Sequence, residues 1–276
     1  MLTCVSWRLR VALCARTAWL NMDWTQERRF LQTLALESGQ VIAPYFGDPK
    51  LGVDAKSDQS PVTVADRSAE LRLRELIQKQ YPSHGIIGEE FGNERADAEF
   101  VWVLDPIDGT KAFITGCPLF GTLIALLHQG KPVLGAIHQP ILKQLCIGDG
   151  TQTTLNGEPV RVRSNTRMAE ATLLYTERGL IAEHQSISGF EALERRCRIV
   201  RTWGDCYGYL LLAWGFADIM VDPVMKPWDF LPLVPIIRGA GGTITNWQGG
   251  DVLASDSVVA AAPELHAEVI KILSSG

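Results

Sequence analysis

Asp105 and Asp108 lie three positions apart, separated by Pro106 and Ile107 and followed by Gly109-Thr110. No other segment concentrates as much potential chemistry. The apolar run Phe100 to Leu104 before them has the pattern of a buried strand. Pro106 is expected to stop the strand ladder and fix the backbone, so that both carboxylates leave the sheet edge together. Carboxylates that close repel each other unless a cation lies between them. Lys111-Ala112-Phe113-Ile114 then predicts a short helical turn, and its amides, reached closely at Gly109, suit a phosphate group. A cation on one side and a phosphate on the other is phosphoester chemistry. The same residues also make an ordinary strand-ending turn, so the remaining acids have to decide.

Glu89 and Glu90 follow a predicted strand over Gly85–Gly88, and Asp229 follows Lys226-Pro227-Trp228 at the start of a predicted helix, Phe230–Arg238. Singly, a Glu pair is a solvated turn and a Trp-Asp is a helix cap. Together with Asp105 and Asp108 they offer four or five hard oxygen ligands, with neither thiolate nor imidazole among them. That donor set suits magnesium, or manganese, rather than zinc or copper.

Composition narrows the class further. A chain of 276 residues with 46% hydrophobic content can bury a large core. The net charge of -5 argues against nucleic acid as a partner, which would require a basic face. A small phosphorylated metabolite fits better, because a bridging cation reconciles an acidic site with an anionic substrate. Six cysteines form no CxxC pair and five histidines no zinc-type spacing, so the thiols read as reduced and the location as cytoplasmic. No segment is long and apolar enough to cross a membrane. Residues 1–21 contain arginines and no acid, and are expected to be a non-structural extension, with translation starting at Met22.

The elements that must position these acids follow from periodicity. Apolar residues at three-to-four spacing predict helices over 23–46 and from about Asp66 to Tyr81, joined by a polar arm, 47–60, that carries Lys56. Lys56 reads equally well as a solvated loop lysine and as a site residue. Strands are predicted over 122–127 and 133–138, and Leu155-Asn156-Gly157-Glu158 is a hairpin turn signal. Beyond about residue 165, helices alternate with short strands. The expected class is α+β followed by α/β, with domains at 22–155, holding the metal, and 156–276, holding the substrate.

Gly88-Glu89-Glu90, the segment Asp105 to Thr110, Lys226-Pro227-Trp228-Asp229 and Gly239-Ala240-Gly241-Gly242 together resemble the inositol monophosphatase-like family of magnesium-dependent, lithium-sensitive phosphatases. The resemblance runs from about residue 25 to the C-terminus. It implies a layered αβαβα sandwich, two to three magnesium ions and a homodimer. It further implies that Glu89, Asp105 and the Ile107 carbonyl hold one ion, that Asp105, Asp108 and Asp229 hold a second, and that Glu89 helps retain a third. Thr110 and Glu89 would activate the attacking water, with Asp66 supporting the threonine, and the amides of Gly109 and Thr110 would hold phosphate oxygens.

In the family, a strand-to-helix turn and an acid shortly before the Trp-Asp touch the leaving alcohol. The matching positions here are Gly204-Asp205-Cys206 and Asp222. Two carboxylates facing the departing group suit a cation better than a neutral polyol, although Asp205 is also a natural helix cap. The stretch around Asp205 resembles the histidinol-phosphate phosphatase branch of histidine biosynthesis. Inositol 1-phosphate and 3'-phosphonucleotides remain alternative substrates, and a regulatory binding protein is the non-enzyme alternative. The retained ligand set favours the enzyme.

Overall fold

A computed structural model describes residues 23–55, 61–164 and 166–275. Lys56 and the 1–21 extension lie outside the described residues. The chain opens with helix α1 (Thr25–Ile42), the ribbon β1 (Val53–Ala55) and β2 (Pro61–Thr63), and helix α2 (Val64–Gln80). A Thr63/Asp66 capping box starts α2, satisfying amides that the first helical turn leaves without partners.

The first sheet follows as β3 (Gly85–Gly88), β4 (Gly92–Glu94), β5 (Phe100–Asp108), β6 (Gly121–His128), β7 (Lys131–Gln139), β8 (Gln144–Gly148), β9 (Thr153–Leu155) and β10 (Glu158–Val160), with the five-residue helix α3 (Thr110–Ile114) between β5 and β6. Its order is β10-β9-β8-β7-β6-β5-β3-β4. Every pairing is antiparallel except β3 with β5. The parallel pair matters, because it brings the carboxyl ends of both strands, and hence Glu89 and Asp105, to the same sheet edge.

The second half supplies β11 (Thr172–Tyr175), α4 (Arg178–His184), α5 (Ile187–Glu194), β12 (Ile199–Arg201), α6 (Asp205–Ala213), β13 (Ile219–Asp222), α7 (Pro227–Phe230), α8 (Leu233–Gly239), β14 (Thr243–Thr245), β15 (Val258–Ala261) and α9 (Pro263–Leu273). The sheet order is β12-β11-β13-β15-β14. The expected 155/156 boundary falls in the turn joining β9 to β10, and the second sheet begins at Thr172.

The layers follow from the two faces of each strand. In β5, Trp102 and Leu104 face α1 and α2, packing with Leu31, Leu34, Leu73 and Ile77. Val101 and Val103 face the other way, into a core shared with Leu210 of α6, Ile236 of α8 and Met220 and Ala260 of the second sheet. The outer face of that sheet, through Leu173 and Val221, is covered by Phe190 of α5 and Val269 of α9. The result is the expected αβαβα sandwich.

Two expected local features are corrected. Strand β5 does not end at Pro106: it continues to Asp108 through a bulge, with Asp105 paired to Leu123 and Asp108 to Gly121. A bulge leaves a residue out of the ladder and so tolerates the N–H that proline lacks. The predicted Phe230–Arg238 helix is also two helices, with α7 ending before Pro232 and α8 starting after it.

The turn into α8 lies directly on the first sheet because Gly135 and Gly148 are cross-strand partners there. A Cβ at Gly148 would come within 2.6 Å of the Pro235 carbonyl oxygen and 2.7 Å of the Ile236 nitrogen. Both are backbone atoms and cannot swing aside. Gly148→Ala should therefore lower stability by about 1–3 kcal/mol. Urea denaturation measures this, and an unchanged midpoint would show that α8 can lift off the sheet without loss.

Candidate active site

Asp105 and Asp108 flank the bulge, and local hydrogen bonds fix its shape. The Ile107 amide donates to Asp105 Oδ1 at 3.0 Å. The Thr122 hydroxyl donates to the Pro106 carbonyl at 2.8 Å and lies 2.8 Å from the Ser38 hydroxyl of α1. Thr110, the first residue of α3, donates its hydroxyl to the Ile107 carbonyl at 2.9 Å. Gly109, at φ +83°, makes the turn between strand and helix. That conformation is costly for a side chain.

Two further elements complete the acidic centre. The Glu89 amide donates to the Leu104 carbonyl at 3.2 Å, which anchors the residue after β3 to the neighbouring strand. Asp229 is the third residue of α7, and its Oδ2 accepts the Lys226 amide at 2.7 Å. Carboxylate oxygens of Asp105, Asp108 and Asp229 all lie within 4.8 Å of one another. Burial raises Asp105 well above the ordinary aspartate range, and Glu89, Asp108 and Asp229 raise it further. Burial does the same to Asp108, reinforced by Asp205 and Asp229. Asp229 is pushed up to about 7 by burial, against the opposing Lys226 amide. Three crowded acceptor-only groups of this kind fit a hard divalent cation, which removes the repulsion that otherwise drives them to protonate.

Asp66 lies within electrostatic reach of Glu89, but its pKa is raised mainly by burial. Its Oδ2 accepts both the amide (2.8 Å) and the hydroxyl (2.6 Å) of Thr63. The threonine it holds is thus the cap of its own helix, while Thr110 turns to Ile107.

The second half of the chain closes over the site through the turn before α6. A Cβ at Gly204 would meet the Thr176 hydroxyl and backbone, so only glycine fits there. Asp205 takes φ +49°, and its amide donates to Thr176 Oγ1 at 2.9 Å. This places an Asp205 carboxylate oxygen 3.1 Å from where a Cβ would stand on Gly109, beside the bend expected to receive phosphate. Asp205 is pushed up to about 6 by burial, opposed by the charge of Lys111. The Cys206 amide donates to the Asp108 carboxylate, so Cys206 orients an acid of the centre from behind. Asp222 is buried; its Oδ2 accepts the Tyr209 hydroxyl at 2.9 Å, and Thr176 also bonds to it. Its link to the pocket therefore runs through Thr176 to Asp205. Thr176 was absent from the sequence analysis, because nothing local ties a threonine after β11 to a turn 29 residues later.

The comparisons now bear on a defined site. The sequence profile described as the inositol monophosphatase family matches residues 23–276. The chain belongs to that family. It is 48% identical over 234 residues to the bifunctional phosphatase IMPL2, chloroplastic, of Arabidopsis thaliana, covering 83% of this chain and 67% of that protein. It is 35% identical over 254 residues to a histidinol-phosphatase of Chlorobaculum parvum, covering 91% and 98%. A fructose-1,6-bisphosphatase/inositol-1-monophosphatase of Aquifex aeolicus is 30% identical over 245 residues, covering 86% and 91%. A solved inositol monophosphatase from Zymomonas mobilis superposes with a TM-score of 0.82 at 38% identity, covering 92% of this chain and 99% of that one. The protein is thus a phosphatase acting on phosphomonoesters, in a family that generally uses magnesium. Among the described residues no helix is long and apolar enough to cross a membrane.

The raised carboxylates set a pH dependence. In the metal-free fold, Asp229 holds its proton up to about 7, whereas an unfolded aspartate loses it near 3.8. The folded state therefore binds more protons between those values, and its stability falls as pH rises through that window. Magnesium bound at these acids would take the place of those protons. It should raise the unfolding temperature more at about pH 8 than at about pH 6. Thermal melts with magnesium and with chelator test this, and equal shifts at both pH values would contradict it.

Proposed function

We propose that this phosphatase hydrolyses histidinol phosphate to histidinol and phosphate, with magnesium as its cofactor. The observation that carries the reading is the Asp205 carboxylate at the edge of the Gly109 turn. Histidinol phosphate bears an ammonium two carbons from its ester oxygen, so its cation would lie close to wherever its phosphate binds. A buried acid next to a phosphate site gains more from that ammonium than from the neutral hydroxyls of a polyol phosphate. Glu177, whose charge also reaches Asp205, is paired with Lys111 at 2.7 Å, which leaves Asp205 as the acid that faces the Gly109 turn. The histidinol-phosphatases among the relatives support the reading, while the inositol and fructose phosphatases among them keep it from following from family alone.

Glu89, Asp105, the Ile107 carbonyl, Asp108 and Asp229 would hold two to three magnesium ions. Bound there, magnesium supplies a Lewis acid for the phosphoryl oxygens and lowers the pKa of attacking water. The chain does the rest. The amides of Gly109 and Thr110 orient the phosphate, and the backbone bend that exposes them is held by the bulge. Glu89 would accept the proton of the attacking water, with the Thr110 hydroxyl aligning it. Asp205 fixes the leaving group by its ammonium, and Thr176 and Asp222 keep Asp205 in its left-handed conformation.

Phosphate release in the presence of magnesium should favour histidinol phosphate at least about tenfold in kcat/KM over inositol 1-phosphate, fructose 1,6-bisphosphate and 3'-phosphoadenosine 5'-phosphate. Asp205→Asn should lower kcat/KM about 10- to 100-fold on histidinol phosphate, the range for a hydrogen bond to a charged group, and much less on p-nitrophenyl phosphate. Equal loss on both would remove Asp205 from substrate recognition. A preference for inositol 1-phosphate would keep the site's chemistry and overturn the substrate.

A further inference from the structure

Helix α2 carries three charged residues at four-residue intervals, Asp66, Glu70 and Arg74, beside the apolar row Ala65, Ala69, Leu73 and Ile77. All three charges are buried, and Glu70 is completely so. A charge is removed from water in this way only when other groups satisfy it. Glu70 is satisfied by three donors. Its Oε1 accepts Arg74 Nε at 2.8 Å and the Phe91 amide at 3.2 Å, and its Oε2 accepts the Glu90 amide at 2.7 Å. Arg74 in turn donates to the Gly92 carbonyl. One ion pair on α2 therefore grips three consecutive residues of the turn that begins with Glu89. Gly88 permits this approach, because a Cβ there would collide with the Glu70 carboxylate and would lie 2.6 Å from an Arg74 nitrogen.

We propose that Glu70 and Arg74 are positioning residues that set where Glu89 stands, and thereby the protein's affinity for magnesium. The proposal rests on the metal reading of the site and not on the identity of the substrate. Glu89 is secured on one side by the strand, through its amide to Leu104. On the other side the clamp from α2 holds the amides of Glu90 and Phe91. The neighbouring Asp66, one turn earlier on the same helix face, feels the charge of Glu89. A single helix face thus carries both an acid beside the centre and the grip on one of its ligands. If the grip loosens, Glu89 gains freedom that cation binding must then remove. Affinity falls, while the chemistry at saturating metal survives.

Glu70→Gln is the direct test, since it keeps the shape but puts an amide NH2 against at least one N–H donor. Arg74→Lys is the second variant, keeping the charge but losing the fork that spans Glu70 and Gly92. Calorimetric titration of magnesium into each substrate-free protein is the readout. Each variant should bind about 10- to 100-fold more weakly, the range for groups that orient metal ligands. The KM for magnesium should rise in step, while kcat at saturating magnesium falls much less. Glu70→Gln placed in a Glu89→Gln background should add little further loss of affinity. Unchanged binding in both variants would overturn the proposal. So would an undiminished loss in the Glu89→Gln background, which would mean that the clamp acts on the fold and not on Glu89. Failure of histidinol phosphate as substrate would leave all of these results intact.

Discussion

Carboxylates crowded into a buried space repel one another, and here that repulsion is imposed by the backbone. Asp105 and Asp108 belong to one strand, Glu89 follows its parallel neighbour, and Asp229 arrives on a short helix held against the sheet. Three of these acids have oxygens within 4.8 Å of one another. Their Cα positions are set by a bulge, a parallel register and a helix cap, and hydrogen bonds from the Ile107, Cys206 and Lys226 amides hold the carboxylates of Asp105, Asp108 and Asp229. The fold therefore stores an unfavourable arrangement that a divalent cation relieves. Much of the surrounding architecture makes sense as the means of keeping that arrangement fixed while it is empty of charge compensation. The Ser38–Thr122–Pro106 chain holds the bulge, the Cys206 amide steadies Asp108, and Glu70 with Arg74 steadies the turn after Glu89.

The proposed function divides catalysis and specificity between the two sheets. The first sheet provides the cation-binding acids and the Gly109 bend. The second provides the wall beside that bend, through the Gly204-Asp205 turn and its partners Thr176 and Asp222. Because α6 and α8 pack on both sheets in one continuous core, the two contributions are held in register.

The acids that the fold gathers, Asp105, Asp108 and Asp229, were legible in the sequence because they sit in short local patterns. A strand-like run followed by Asp-Pro-Ile-Asp-Gly-Thr declares its own geometry, and the layered sandwich followed from the family resemblance those motifs carry. The bulge was not legible, since a proline reads as a strand end unless the partner strand is known to absorb it. Strand β15, Val258–Ala261, is a run of four apolar residues too short to classify by period. Thr176, Glu70 and Arg74 escaped notice for a different reason. Their partners lie 29, 20 and 18 residues away, in Asp205, Glu90 and Gly92, and a charged residue on an amphipathic helix ordinarily faces water. The signal that was available is the repeat of charge at 66, 70 and 74 directly beside the apolar row. Asp222 was read as facing the substrate from its place in the pattern, whereas its carboxylate is engaged by Tyr209 and Thr176 and acts through them.

The account depends on a cation being what relieves the acidic centre. Crystals grown with manganese, measured for anomalous scattering, examine this without reference to any substrate. Density is expected between Asp105, Asp108 and Asp229, with Glu89 and the Ile107 carbonyl turned toward it. Manganese bound elsewhere, with these three carboxylates left facing one another, would contradict the account at its root.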